Sequence, residues 1–448
     1  MFATRNAARC SSGKLLTVVL LMAVLAIGLA ACRGFFGQAP IALIVIGMGG
    51  DEEVPITVTF DLSGSNDPDG TIATYELDFG DGTAAATGTD VTIAVTHDYT
   101  TAGTYTVLLT VTDNDGRIGM VNGVVTIGPA MITFASDRVT SFDIFRMKAD
   151  GSDEATVYNS AGTDELFPDL VRGTRGKIAY AAEDGTSWNI WSMTVTGGSR
   201  TQLTTGATSN QIQPSWSRTG ATIAYASNGT VQTPSATSWE IFTMTASGST
   251  PTQKTTQTPS WAIAPVYSPV NDDFLFVSNK DATGGSSIWL WDDSAAAAVE
   301  WKDGPGRDGD VSPALAGLGV GLDLPAGAGI SKPTWSPDGA YIAYAGEATA
   351  GGIVNIYVIN EDGTNVGGAA TTHTLEEFVD EIYGAADATV TTNDDEFAPF
   401  WLEDDSGIVF ARDEGAGGLQ LYKVTFATGA VTELTAAGDN VHPASIER

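Results

Sequence analysis

From residue 131 onward one hydrophobic pattern recurs. Its clearest copy is Pro333-Thr334-Trp335-Ser336-Pro337-Asp338-Gly339-Ala340-Tyr341-Ile342-Ala343-Tyr344. A short strand is predicted to open at Pro333, where a missing N–H is tolerated. Ser-Pro-Asp-Gly predicts a tight turn, because Pro sets φ at the first central position and Gly closes it. Ile342-Ala343-Tyr344 predicts the second strand and Ile356-Tyr357 the third, with Gly363 at the next turn. Ile144-Phe145 with Gly151, Ile190-Trp191 with Gly197, and Ile241-Phe242 with Gly248 keep the same interval. Ile288-Trp289 has Ala295 in the glycine's place, and Leu421-Tyr422 reaches Gly429 one residue late. The strand-opening prolines are Pro168, Pro214, Pro265, Pro333, Pro399 and Pro443. Several short strands per unit, repeated at roughly 45 residues or more, predict a β-propeller, here with six blades.

The order of the pieces predicts how the ring closes. Met131-Ile132-Thr133-Phe134 is a second-strand pattern with no first strand before it, and Asn440 to Ser445 is a first-strand pattern. The two are expected to share one blade, which removes two open sheet edges. Pro168 to Pro214 spans 46 residues, whereas Pro265 to Pro333 spans 68 and Pro333 to Pro399 spans 66. Insertions are therefore expected at about 295–330 and before Pro399. The second holds the one convincing helix of the mature chain. Thr374 and Glu377 form a capping box, Leu375, Phe378, Val379 and Ile382 share a face, and Gly384 stops it. That face is expected to pack on the propeller.

Ahead of the repeats, residues 40–128 alternate in the manner of half-buried strands. Ile56, Val58 and Phe60 fall on one face, and Gly103 to Asp113 is a longer strand with the same period. Asp, Gly and Pro turns separate the runs, which predicts a small antiparallel sandwich. Three residues, 128–130, join it to the propeller.

Charge changes the picture next. The 448 residues carry 54 acidic and 21 basic side chains, a net charge of −33. Residues 1–31 hold three basic residues and no acid, so the remainder stands at −36. Such a surface repels nucleic acid and anionic lipid. The two cysteines, Cys10 and Cys32, both lie near the N-terminus, so no disulfide framework is expected in the folded part. Arg5, Arg9 and Lys14 precede an apolar run from Leu15 to Leu29, the length of a signal h-region and short for a membrane span. It ends in Leu29-Ala30-Ala31-Cys32, which resembles the bacterial lipobox. The resemblance implies a signal peptide over 1–31, acylation of Cys32, a tether over 32–39, and a cell-envelope location at the outer membrane, on its periplasmic or surface side.

Two further resemblances follow from quoted residues. The Asp67-Pro68-Asp69-Gly70 turn, the Asp78-Phe79-Gly80-Asp81-Gly82 hairpin and His97-Asp98-Tyr99 make residues 40–128 similar to the polycystic-kidney-disease (PKD) domain. Leu77 stands where that family usually has a core Trp. The resemblance implies an immunoglobulin-like spacer or adhesion module without chemistry, and a structural role for His97. Pro-x-Trp-Ser-Pro-Asp-Gly-x-x-Ile-Ala-Tyr, with Leu203-Thr204 and Leu434-Thr435, resembles the TolB-type propeller repeat over residues 131–448. TolB itself sets its propeller beside an α/β domain and binds envelope lipoprotein and peptide partners. Here the PKD-like module stands in that domain's place.

Candidate chemistry is sparse. No Gly-x-Ser-x-Gly nucleophile elbow occurs, and His97, His373 and His442 sit in unrelated contexts, which argues against a three-histidine metal site. Asp67, Asp69, Asp78 and Asp81 have the oxygen chemistry of a Ca²⁺ site, although Asp in such turns serves backbone geometry first. Trp261 and Trp301 lie outside the repeat template, as loop anchors or as stacking platforms for sugar. The expectation is an all-β, lipid-anchored, monomeric envelope protein that binds a protein, peptide or polysaccharide and does not catalyse. A glycosidase or lyase using carboxylates of the propeller channel is the alternative.

Overall fold

Each repeat becomes one four-stranded antiparallel sheet in the computed structural model, which describes residues 37–445 apart from 49–55, 129, 140, 172–175, 184, 186, 207–208, 230–238, 257–260, 279–286, 303–331, 348–352, 363–365, 367–372, 385–393, 403–404 and 415–417. Six such sheets follow residue 130. The second blade is typical, with strands Glu165–Leu170, Lys177–Glu183, Trp188–Thr194 and Thr201–Gln202 side by side in chain order. First strands of neighbouring blades touch one another and line the axis, while fourth strands lie at the rim. Second strands such as Ile178-Ala179-Tyr180-Ala181-Ala182 are buried along their whole length. Both faces of a blade are covered by its neighbours, so apolar residues need not alternate with polar ones.

The two recurrent text fragments meet across the ladder. Phe134 faces Phe145, Tyr180 faces Trp191, Tyr225 faces Phe242, Phe276 faces Trp289, Tyr344 faces Tyr357, and Phe410 faces Tyr422. Every blade thus carries an aromatic cross-strand pair at the same height. Each pair contributes about 0.5–1.5 kcal/mol beyond simple area burial.

The ring closes as expected. Strand Asn440–Ser445 pairs antiparallel with Met131–Ser136, Asn440 opposite Ser136 and Ala444 opposite Thr133, and is the first strand of the first blade. Pro333 directly precedes its strand Thr334–Trp335 as expected, but the other five prolines do not open theirs. Pro168 lies inside Glu165–Leu170, and Pro214, Pro265, Pro399 and Pro443 sit alike. The ladder slips at each of these five prolines. A β-bulge interrupts the ladder there, so the absent N–H leaves no bond unmade. Phe167, Gln213, Ala264 and Ala398, each directly before its proline, hold left-handed φ of 45–55°.

The fourth blade corrects a second boundary. Ala297–Lys302 is its fourth strand, not part of the insertion. The rest of the first insertion, 303–331, and Gly363 lie outside the described residues. The helix spans Leu375–Tyr383 with the capping box at Thr374 and Glu377 and Gly384 left-handed at its end (φ 67°). Leu375, Phe378 and Val379 are buried, and Phe378 meets Tyr341, Trp401 and Phe426 edge-on. Ile382 is exposed rather than packed; Tyr383 instead stacks on Phe426 at 4.5 Å and donates to Asp405. The helix therefore fills the groove between the fifth and sixth blades.

The N-terminal module is a sandwich of a three-stranded sheet (Val45–Met48, Ile56–Asp61, Val95–Tyr99) and a four-stranded one (Ala86–Gly88, Ile72–Asp78, Gly103–Asp113, Ile118–Ile127). Leu77 is fully buried in its core, and Tyr99 donates from its hydroxyl to the Phe79 carbonyl at 2.8 Å. Among the described residues no helix is long and apolar enough to cross a membrane.

The turn between third and fourth strands yields a stability test. Gly151, Gly197, Gly248 and Gly429 all hold positive φ there. In the fourth blade the left-handed residue is Ala296 (φ 49°), not Ala295. It lies as far beyond Ile288 as Gly429 lies beyond Leu421. Ala296 is exposed, so its methyl loses no packing on removal. Ala296→Gly is expected to stabilise the protein by roughly 0.5–1 kcal/mol in denaturant unfolding; a loss of stability would show that the turn carries no strain.

Candidate functional site

The ends of the propeller differ in what they carry. In these antiparallel blades the first-to-second and third-to-fourth connections leave one end, and the others leave the opposite end. The first end is made of tight turns in every blade but the fifth, where 361–372 joins the third and fourth strands. Ser336-Pro337-Asp338-Gly339 is typical: Gly339 (φ 76°) donates to the Ser336 carbonyl, and Tyr341 N–H donates to Ser336 Oγ at 2.9 Å. The long connectors 228–239, 279–286, 303–333 and 348–353 leave the second end, and one, 361–372, leaves the first.

Just beneath that loop-bearing end runs a seam of polar residues. Asp164, Asn210, Asp395 and Asp439, each four residues before its proline, accept the backbone N–H of Phe142, Trp188, Val354 and Leu419 in the preceding blade at 2.8–3.0 Å. The following residues, Glu165, Gln211, Glu396 and Asn440, are buried. Three of these meet an arginine. Arg138 donates to Asn440 Oδ1 at 2.6 Å, Arg412 to Glu396 at 2.9 Å, and Arg200 approaches Glu165 at 4.0 Å. Each guanidinium also lies over an aromatic ring: Phe145 at 4.5 Å, Tyr422 at 4.4 Å and Trp191 at 3.9 Å. The planar cation suits both contacts at once.

The electrostatics are unusual for so acidic a chain. Burial pushes the Glu165 carboxyl up to about 8, against the pull of Arg200 and with Asp143 and Asp164 adding to the rise. Its Oε2 has no hydrogen-bond partner. Burial also raises Glu396 to about 7, although Arg412 opposes it. Near neutral pH these groups sit at the border between acid and carboxylate, where proton exchange is easiest.

On the axis itself, Lys332 of the fifth blade reaches across to the second and third. Its Nζ donates to the Pro214 carbonyl at 2.9 Å and lies 3.7 Å from Asp169 Oδ1. Burial lowers the lysine's pKa, and Asp169 works against that. Asp169 also accepts the Trp216 N–H at 2.7 Å, one of four such first-strand links among the described residues; Gln213 receives Ala264 N–H, Ser215 receives Tyr267 N–H and Thr334 receives Trp401 N–H. The channel is thus bridged by a cation at mid-height.

The residues singled out from sequence fare differently. Trp261 is 3 % exposed, so protein covers its ring and it anchors the core instead of offering a platform for sugar. Trp301 lies in the outer strand of the fourth blade, inside the repeat template, and its side chain lies outside the described residues. Asp67, Asp69, Asp78 and Asp81 each serve a local bond. Asp69 accepts Gln38 N–H, Asp67 accepts Asp69 N–H, Asp78 accepts Gly80 N–H, and Asp81 accepts Thr83 N–H. The four are not gathered around one point, and no group of three or more metal-ligating side chains occurs among the described residues. His97 stacks flat on Phe79 at 3.8 Å and bonds Asp81 at 2.7 Å, the structural role expected of it. His373 bonds Glu381 beside the helix. Cys32 lies outside the described residues, as does the side chain of His442. The seam residues were not anticipated. Aligning the blades on their prolines would have exposed them, as Asp or Asn four residues before and Glu, Gln or Asn three before.

Comparison with known proteins agrees with this architecture. Residues 39–127 match the model of the PKD domain. No curated protein matches the chain. Among solved structures, TolB from Acinetobacter baumannii is 16 % identical, with 78 % of this chain and 80 % of that one covered and a TM-score of 0.52. The putative TolB from Agrobacterium tumefaciens is 14 % identical over 70 % of this chain and 91 % of its own, with a TM-score of 0.44. The PKD1 domain of Vibrio anguillarum Epp is 32 % identical over 20 % of this chain and 96 % of its own, with a TM-score of 0.17.

Glu165 makes the seam testable by pH. Its pKa in the folded state exceeds that of an unfolded glutamate, so the folded protein holds a proton that the unfolded chain releases. Its stabilising contribution is complete below about pH 4.5 and declines towards pH 8, by up to about 1.4 kcal/mol per pH unit. Glu165→Gln is expected to flatten the fall in melting temperature between pH 5 and 8. Identical profiles for both proteins would contradict the raised pKa.

Proposed function

From a chain that carries a PKD domain over residues 39–127 followed by a TolB-like propeller, we propose a lipid-anchored envelope protein that recognises a partner and catalyses nothing. Cys32 carries the anchor, the sandwich is the spacer, and the propeller's loop-bearing end binds a protein, a peptide or a glycan. The observation that supports this most is the concentration of long connectors at one end, four against one, while the opposite end is otherwise built from tight turns. Binding residues concentrate on loops held by a rigid scaffold. Fold likeness at 16 % identity supports the architecture alone, and the partner is left to experiment.

The non-catalytic reading rests on how the buried acids are used. Glu396 is tied to Arg412 of its own blade and accepts the Ile356 N–H of the fifth, and Asp169 is tied to Lys332 across the ring, so both are engaged in structural contacts. Glu165 is fully buried and has no open approach of the kind a substrate needs.

Val139 and Ile353 are exposed at the loop-bearing end, Val270 at the other. Photoreactive residues at 139 and 353 are expected to yield adducts of defined mass in intact cells, whereas one at 270 yields none. Adducts at 270 alone would place binding on the wrong end. Hydrolysis of a polysaccharide panel that disappears in Glu165→Gln or Glu396→Gln would make the protein an enzyme.

A further inference from the structure

Exposed apolar side chains are concentrated on the smaller domain. Of eleven large ones exposed among the described residues, seven lie on the sandwich, and six of those fall on two segments: Ile41, Leu43 and Val45, and Ile118, Met120 and Val124. The two segments run alongside each other. A Cβ at Gly119 would strike the Pro40 carbonyl, one at Gly123 would meet Ile46, and Gly37 lies against Arg117. The inward residues of strand Ile118–Ile127 accept the chain that crosses them, and the outward ones are left uncovered.

This edge differs from the rest of the surface in charge as well. Residues 38–48 and 118–127 contain no ionisable side chain, in a protein of net charge −33. Ile118–Ile127 is also a sheet edge, ten residues long, without the Lys or Pro that normally protects one. Uncovered apolar area of this kind marks a surface that meets another phase or another molecule.

The chain that precedes it says which. The described residues begin at Gly37, beside Arg117, and Cys32 stands five residues earlier, within about 18 Å even at full extension. We propose that this edge of the sandwich rests in the interface of a lipid bilayer, with Ile118, Met120 and Val124 entering it. The docking rests on the reading of Cys32 as acylated. Its chemistry is that of a zwitterionic surface, because the acidic remainder is repelled by anionic headgroups. Acyl chains and a shallow apolar face together hold a domain at a fixed tilt, which neither does alone. A second copy of this chain is the poorer occupant, since it would bring two strongly negative molecules together.

The test uses the full acylated protein on phosphatidylcholine vesicles. Met120→Cys and Thr87→Cys each introduce one free thiol for a nitroxide label; Thr87 is exposed on the far edge of the same sheet. On vesicles, the ratio of oxygen to nickel-complex accessibility is expected to be several-fold higher at 120 than at 87, and equal at both without vesicles. Equal ratios on vesicles overturn the docking while the mass of the mature N-terminus still shows acyl chains. A mass showing unmodified Cys32 overturns the anchor and the docking with it. A label at 120 already protected without vesicles assigns the edge to self-association instead.

Discussion

The propeller depends on one strand pairing, Asn440–Ser445 against Met131–Ser136. A blade is apolar on both faces and stable only between two neighbours, so the ring must be complete for any sheet to be covered. The first strand of the first blade comes from the opposite end of the chain from the other three. That strand touches the first strands of both the second and the sixth blade. Without it, two neighbours as well as its own sheet would face water. Closure is also the most non-local contact in the fold, reinforced by Asp439 N–H on Asp137 and Arg138 on Asn440.

Once the ring is closed, the seams between blades must be polar where backbone groups would otherwise be orphaned. Asp164, Asn210, Asp395 and Asp439 satisfy the N–H at the start of the third strand in four preceding blades. Burying acids for this purpose is costly unless they are paired or protonated. Both solutions are present: Glu396 is paired with Arg412, and Glu165 has its pKa lifted. In a chain with 21 basic residues, three arginines placed over aromatic rings and a lysine on the axis are therefore structural assets. A rigid ring in turn allows one end to carry long connectors without loss of shape.

Much of this was legible in the residues. Periodicity identified the blades, Thr374, Glu377 and Gly384 bounded the helix, and the order of motifs foretold the closure. These are local signals, set by turn chemistry, capping and alternation. What escaped were features that arise only when blades meet. Five of the six prolines sit at bulges because the ladder slips there, and no single-strand pattern shows a slip. Trp261 reads as a loop residue until its neighbours bury it. Ala296 replaces a turn glycine only once the turn's length is known, and Ile382 yields its place to Tyr383 because the groove, not the helix, decides which side chain fits. The seam of Asp164 and Glu165 is written at fixed positions before each proline, but its meaning lies in the adjacent blade.

The most direct measurement is the thermal unfolding of the chain lacking residues 440–448. Loss of one complete ladder and its buried Asn440 and Val441 is expected to lower the melting temperature by about 10 °C or more, or to abolish a single cooperative transition. A truncated protein that melts within error of the full chain would show that the ring is not held shut by its two ends.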